Sequence, residues 1–210
     1  MLRDIRINYQ KYQLDESSLP SSPIELFDEW MQEVIKKEVT EPTAMVLSTC
    51  SAGVPDSRIV LLKEVENGNF LFYTNYASSK ANQLAANEHV ALNFFWHELE
   101  RQVRIKGVAS KVSEQQSADY FQSRPRESQL GAWASAQSQE VANRQSLEES
   151  FREVSERFKE QAIPKPPHWG GFQITPTEIE FWQGRPGRLH DRIRYFLGEN
   201  NRWKFKRLAP

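Results

Sequence analysis

Ser57-Arg58-Ile59-Val60-Leu61-Leu62-Lys63-Glu64-Val65-Glu66-Asn67-Gly68-Asn69-Phe70-Leu71-Phe72-Tyr73-Thr74 is the stretch that decides the fold. Two runs rich in β-branched and aromatic residues flank Asn67-Gly68, the dipeptide best suited to a tight hairpin because both residues tolerate positive φ. The stretch predicts antiparallel strands at 57–65 and 70–74. On its N-terminal side, 43–49 reads as a further strand, joined through a turn containing Gly53 and Pro55. On its C-terminal side a short polar helix at 78–87 precedes strands at 89–96 and 102–112. Ile59-Val60-Leu61-Leu62 and Val90-Ala91-Leu92-Asn93-Phe94-Phe95-Trp96 are nearly continuous apolar runs. They predict burial on both faces, as in a barrel wall that also meets a partner.

Helices frame this meander. Ser22 and Glu25 form a capping box with Pro23 at the first helical position, opening a helix at 23–39 with Phe27, Trp30, Met31, Val34 and Ile35 on one face. Ser113, with Gln116 three residues on, opens another. A third runs at about 143–161, with Leu147, Phe151, Val154 and Phe158 on one side, and Pro164, Pro166 and Pro167 stop it. Short strands at 171–174, 178–182, 192–197 and 202–206 complete the chain. Six or seven antiparallel strands with intervening helices predict an α+β fold dominated by antiparallel β, built around a small barrel. Residues 21–210 form one domain in this reading. Residues 1–20 are a polar, partly mobile segment whose Tyr9 and Tyr12 need a surface to pack on.

Composition narrows the function classes. The 210 residues are 39% hydrophobic and 26% charged, which argues against disorder. No run approaches the ~18 apolar residues of a membrane helix. Met1-Leu2-Arg3-Asp4 lacks the apolar core of a signal peptide, and the single Cys50 excludes an internal disulfide framework and a Cys-rich zinc site. A cytoplasmic location is the simplest expectation. A net charge of −1 excludes bulk attraction to nucleic acid or to an anionic membrane. No G-x-G-x-x-G, P-loop or G-x-S-x-G pattern is present, and the four histidines lack metal-ligand spacing, so no metal is expected.

Local positive charge remains. From residue 183 onward eight Lys or Arg stand against Asp191 and Glu199. A solvated strand edge blunted by basic residues explains this better than an anion does. Arg58 and Lys63 flank an apolar strand and Arg104 interrupts another, so each lies either at a strand end in water or against a buried anion. Arg58 and Lys63 are five apart, which puts them on opposite faces of a regular strand. Tyr120, Arg124 and Ser128 share a helical face if the helix continues through them, and would clamp a phosphate. An arginine satisfying a helix C-terminus is an equal alternative. Arg188, His190 and Arg192 point one way on an extended chain. The flanking arginines favour a neutral His190, suited to an anionic, hydrogen-bonding ring, whereas a loop salt-bridged through Asp191 would be purely structural. The tryptophans offer flat surfaces to a planar ligand, although most serve the core.

Arg58 through Lys63, Phe72-Tyr73-Thr74-Asn75, Glu100-Arg101-Gln102-Val103-Arg104, Tyr120 through Gln129, Ile179 through Gly184, Arg188 through Arg192 and the ending Arg207-Leu208-Ala209-Pro210 closely resemble the pyridoxamine 5′-phosphate oxidase family. The resemblance spans about residues 23–210. It implies an FMN-binding split barrel working as a homodimer with active sites at the interface. FMN contacts map onto Arg58, Ile59, Val60, Leu61, Leu62, Lys63, Tyr73, Thr74, Ser79, Lys80, Gln102, Gln137, Ser138, Trp182 and Arg192. The substrate phosphate maps onto Lys63, Tyr120, Arg124 and Ser128. Arg188 and His190 resemble the pair that grips the pyridine ring, and Arg6 and Tyr9 match a looser motif over the substrate. Ser79 departs from the family, where a basic residue often precedes the lysine. The implied reaction oxidises pyridoxamine 5′-phosphate and pyridoxine 5′-phosphate to pyridoxal 5′-phosphate, with O2 reduced to H2O2. A split-barrel flavin reductase using NAD(P)H and a non-catalytic FMN or pyridoxal-phosphate carrier are the alternatives.

Overall fold

The computed structural model describes residues 1–4 and 6–210. Five α-helices and nine strands follow in the order α1 (Pro23–Lys36), β1 (Ala44–Ser51), β2 (Val54–Leu61), β3 (Glu64–Glu66), β4 (Asn69–Asn75), α2 (Ser79–Ala86), β5 (His89–Trp96), β6 (Arg101–Lys111), α3 (Glu114–Ser123), α4 (Arg126–Ala134), α5 (Arg144–Arg157), β7 (Trp169–Gln183), β8 (Asp191–Leu197) and β9 (Trp203–Arg207). The strands form one antiparallel sheet in the order β2-β1-β5-β6-β7-β4-β3, and β8 and β9 branch from β7. No helix among the described residues is long and apolar enough to cross a membrane.

The decisive hairpin is present with a modification. Asn67 and Gly68 both have positive φ, at 50° and 78°, and join β3 to β4. The predicted strand 57–65 is instead two pieces: β2 ends at Leu61, Leu62 N–H donates to Thr43 O, and pairing resumes at Glu64. Arg58 and Lys63 therefore do not share one regular strand, and the odd-spacing reading does not apply to them.

β7 is the spine of the sheet. Strands expected at 171–174 and 178–182 are one 15-residue strand. Its first half pairs with β4, its second half with β8, and both halves with β6. The expected break survives as a bulge, where the register with β6 shifts between Lys106 and Gly107 opposite Pro176. Gly107 is required there, because a Cβ would lie 2.5 Å from Thr175 O.

Alternation along β5 sorts the two faces. Val90, Leu92, Phe94 and Trp96 are buried, whereas Ile59 of β2 and Phe95 of β5 are 69% and 52% exposed. Burial on both faces is thus not met within a single chain. α1 closes one end of the barrel. Ser22 Oγ accepts from Ile24 N–H (3.2 Å), and Phe27 meets Phe70 (4.9 Å) and Phe94 (5.2 Å) edge-on. Full burial of such a side chain contributes ~1.5–3 kcal/mol. Phe121, Leu130, Phe158, Ile163 and Trp169 form a second, smaller core that fixes α3 and α4 against the start of β7.

Candidate active site

A first cleft of about 650 Å³ opens where the β2–β3 connection, β4 and the α3–α4 junction meet. It gathers Ile59, Val60, Leu61, Lys63, Tyr73, Thr74, Lys80 and Gln137 of the expected cofactor set with Tyr120, Arg124 and Ser128 of the expected phosphate clamp. Lys63, Lys80 and Arg124 line it, and no Asp or Glu does among the described residues. An uncompensated concave cationic surface is an anion site by Coulombic argument.

The clamp does not form by the helical continuation that its spacing suggested. α3 stops at Ser123, Arg124 is extended (φ −73°, ψ 149°), and Pro125 starts α4, so Ser128 belongs to the next helix. The break itself delivers Arg124 to the cleft. Buried Gln129 holds it there: its Nε2 donates to Phe121 O (3.1 Å), Gln122 O (3.2 Å) and Arg124 O (3.1 Å). The Arg124 guanidinium lies 4.7 Å from the Trp169 ring centroid, and its buried Nη1 has no hydrogen-bond partner among the described residues. A buried unsatisfied guanidinium donor is costly without an anion to receive it. Tyr73 and Tyr120 stack at 3.9 Å, with Trp169 5.5 Å beyond Tyr73. Burial pushes the Tyr73 hydroxyl up to about 12 and raises that of Tyr120, so both remain protonated donors at neutral pH.

At the other end of this cleft, Lys80 Nζ donates to Gln137 Oε1 (3.0 Å) and Thr74 Oγ1 (3.3 Å) in the first turn of α2. Burial, and then the charge of Arg58, lower the Lys80 pKa. Two cations beside a helix N-terminus suit a second anion. Arg58 does not line the cleft. It is held by Leu47 O (3.2 Å), Thr49 Oγ1 (2.7 Å), Gln83 Oε1 (2.8 Å) and Asp56 Oδ2 (2.5 Å). Leu62 turns its side chain into the core, and Ser79 and Ser138 are exposed outside the cleft lining.

A second cleft of about 780 Å³ is lined by Arg6, Tyr9, Arg185, Arg188 and His190. Arg188 is not on an extended strand. It ends a 3-10 turn (Pro186–Arg188) with φ 63°, an uncommon conformation for a non-glycine residue, and β8 begins only at Asp191. The turn nonetheless brings Arg188 and His190 to one cleft, whereas Arg192 leaves it. Arg192 Nε donates to Glu180 Oε1 (2.9 Å) on the outward face of the sheet. Arg104, half-exposed in mid-strand, reaches the same carboxylate at 3.7 Å, so the buried anion it meets is the side chain of Glu180. His190 Nδ1 accepts from Arg185 N–H (3.1 Å), so the neutral ring carries its proton on Nε2. Burial and then Arg188 lower its pKa, in the expected direction, with burial the larger cause. The imidazole lies 4.6 Å from Trp182 and 5.8 Å from Tyr9. Gln102 pairs with Trp182 across β6 and β7.

The residues expected to serve one cofactor thus fall into two groups. Trp169 at the start of β7 lines the first cleft, whereas Gln102, Trp182 and Arg192 lie around the other end of that strand. Sequence reasoning gave Gln129 no role, although it closes the Tyr120–Gln129 motif in the first turn of α4. It also left Trp169 among the generic aromatics.

The chain as a whole is similar to known proteins of one family. A family model described as pyridoxamine 5′-phosphate oxidase matches residues 31–158, and one described as the pyridoxine 5′-phosphate oxidase C-terminal dimerisation region matches 169–210. Curated proteins named pyridoxine/pyridoxamine 5′-phosphate oxidase are similar over the whole chain. That of Bacteroides thetaiotaomicron is 49% identical, covering 100% of this chain and 99% of its own. That of Legionella pneumophila (strain Paris) is 50% identical, covering 100% and 97%. The crystal structure of PhzG from Burkholderia lata 383 with tetrahydrophenazine-1-carboxylic acid superposes with a TM-score of 0.90 at 28% identity, covering 96% of this chain and 99% of its own. An FMN-binding, pyridoxamine 5′-phosphate oxidase-related protein of Nostoc punctiforme shares the fold at a TM-score of 0.72 and 15% identity, covering 91% and 100%. With family models spanning most of its length and relatives near 50% identity, the chain belongs to the pyridoxine/pyridoxamine 5′-phosphate oxidase family.

Proposed function

We propose that the protein oxidises pyridoxamine 5′-phosphate and pyridoxine 5′-phosphate to pyridoxal 5′-phosphate, using FMN as cofactor and O2 as electron acceptor. The observation that carries this reading is the first cleft, with Lys63, Lys80 and Arg124 on its wall, no carboxylate there among the described residues, and a buried Arg124 donor without a partner. That donor set fits two phosphates. Lys80 and the α2 N-terminus, backed by Arg58, suit the phosphate of FMN. Lys63, Tyr120, Arg124 and Ser128 suit that of the substrate. FMN, when bound, would supply the redox chemistry by which two electrons and two protons pass from the substrate to O2 and give H2O2; with the amine, water then hydrolyses the imine and ammonia leaves.

The chain's own groups orient and polarise. Tyr120 and Ser128 donate hydroxyl protons to the substrate phosphate, and Arg124 adds a planar fork on the Trp169 face. Arg188 presents a fixed positive charge to the pyridine ring, favouring charge that develops there. Neutral His190 offers its Nε2–H to the substituent being oxidised. Its lowered basicity argues against an obligatory general base.

Two copies are required in this reading. The two clefts share no lining residue and lie at opposite ends of the 15-residue β7, which starts at Trp169 in the first and runs out at Gln183 into the Arg185–His190 stretch of the second. A two-fold partner laid on the outward sheet face would bury Ile59 and Phe95 and bring the second cleft of one copy over the first cleft of the other. The test is product formation: protein saturated with FMN receives pyridoxine 5′-phosphate or pyridoxamine 5′-phosphate under air, and pyridoxal 5′-phosphate and H2O2 are followed together. Tight flavin binding with neither product from either substrate would overturn the reading and leave a reductase or a carrier.

A further inference from the structure

Glu100 is buried at 4% exposure and holds a left-handed conformation (φ 55°, ψ 40°) between β5 and β6. Such backbone persists in a non-glycine residue only where its surroundings over-determine it. Here Gln183 Nε2 donates to Leu99 O and Glu100 O, each at 3.2 Å, and Gln183 Oε1 accepts from Arg101 Nε at 2.9 Å. Arg101 is itself buried between the rings of Trp30 (4.4 Å) and Tyr12 (4.7 Å) and paired with Glu33 (2.7 Å). The carboxylate so aimed pairs with no cation among the described residues. Glu100 Oε2 accepts the successive backbone N–H groups of Gln10 (2.9 Å) and Lys11 (3.0 Å). The N-terminal segment carrying those donors crosses Gly184, where any Cβ would lie 2.7 Å from Tyr9 Cβ. One residue before Gln10, Tyr9 meets Trp182 edge-on at 5.6 Å and lines the second cleft with Arg6 and His190.

We propose that Glu100 is a positioning residue for the oxidation: its carboxylate, locked by Gln183 and Arg101, sets the position of the N-terminal segment and so holds Tyr9 and Arg6 over His190. The segment belongs to no sheet; farther along it Arg185 donates to Tyr12 O and Leu14 N–H donates to Asp191, but next to Tyr9 the backbone is held by these two charge-assisted bonds. Glu100 touches no reacting atom. It acts on substrate affinity through Tyr9 and Arg6, and this consequence rests on the second cleft belonging to the active site.

The docking and its consequence are tested separately. In the wild-type FMN-loaded protein the Gln10 and Lys11 amides are expected to exchange with deuterium about 100-fold more slowly than the neighbouring Asn8 amide. Equal exchange would overturn the docking whether or not the protein is an oxidase. In Glu100→Gln and Glu100→Ala, tryptic cleavage after Arg6 and Lys11 is expected to accelerate, by about tenfold in the alanine variant and less in the glutamine variant, whose amide oxygen still accepts. KM for pyridoxine 5′-phosphate should rise in the same order, with kcat changed less than about twofold. Folded variants with wild-type cleavage would remove Glu100 from the positioning of the N-terminal segment. Faster cleavage with an unchanged KM would keep the docking and overturn its role in the reaction.

Discussion

The two clefts are built from opposite materials. The first is walled by β4 and the β2 end, and by α3 and α4 packed on the second core, so its groups are held by elements with buried faces of their own. The second is walled by the N-terminal segment and the β7–β8 connection, held by single polar contacts such as Leu14 N–H to Asp191 Oδ2 (3.0 Å) and the pairing of Arg207 with Glu16 and Asp191. A packed wall suits tight, uniform holding of phosphates. A tethered wall suits a surface that admits substrate and then settles on it. Binding and turnover should therefore separate when the two clefts are mutated in turn.

The largest effect is expected from Arg188→Leu, which removes the charge proposed to face the reacting ring. Turnover should fall by ~10²–10³-fold, while the purified protein retains its flavin absorbance. Normal turnover would break the division between the clefts. Arg124→Leu should instead raise KM for either phosphorylated substrate by roughly 100-fold, the scale for losing one partner of a buried charged contact, with kcat nearly kept. Steady-state kinetics at saturating FMN separates the two cases. Arg58→Ala should weaken FMN retention by about tenfold, read as flavin lost on dialysis, with turnover recovering when FMN is restored. Gln129→Leu should raise KM about fivefold by freeing Arg124, with FMN affinity unchanged.

The smallest effect is one of pH. Burial and Arg188 disfavour the His190 imidazolium, so the neutral ring persists to lower pH than in a free histidine. Activity that needs the neutral ring is then kept at neutral pH and lost only as pH falls through a value below 6.5. A pH profile of kcat/KM should show that acid limb, and His190→Asn should abolish it. A limb that persists in the variant would point to a different group.

Ser22 before Pro23, the φ-positive pair Asn67-Gly68 and the alternation along β5 are local, and all were readable in the sequence. The failures came where a longer-range contact overrode a local pattern. Tyr120, Arg124 and Ser128 looked like one helical face, but Pro125 ended the helix and Gln129 rebuilt the junction. The gap expected between 174 and 178 is no strand end, because a bulge at Thr177 lets β7 run on through it against β6. Arg192 looked like a neighbour of His190, but Glu180 on the adjacent strand claimed it.

By itself the sequence determined the antiparallel barrel, the capped helices and, through long motifs in order, the family, because periodicity, turn chemistry and motif spacing are properties of neighbouring residues. Only the tertiary structure decided which charges meet. Lys63, Lys80 and Arg124 converge from three separate elements, and Glu100 reaches a segment some 90 residues away in the chain. Such meetings depend on how the sheet curves and where it branches, and the spacing of residues along a chain carries no record of either.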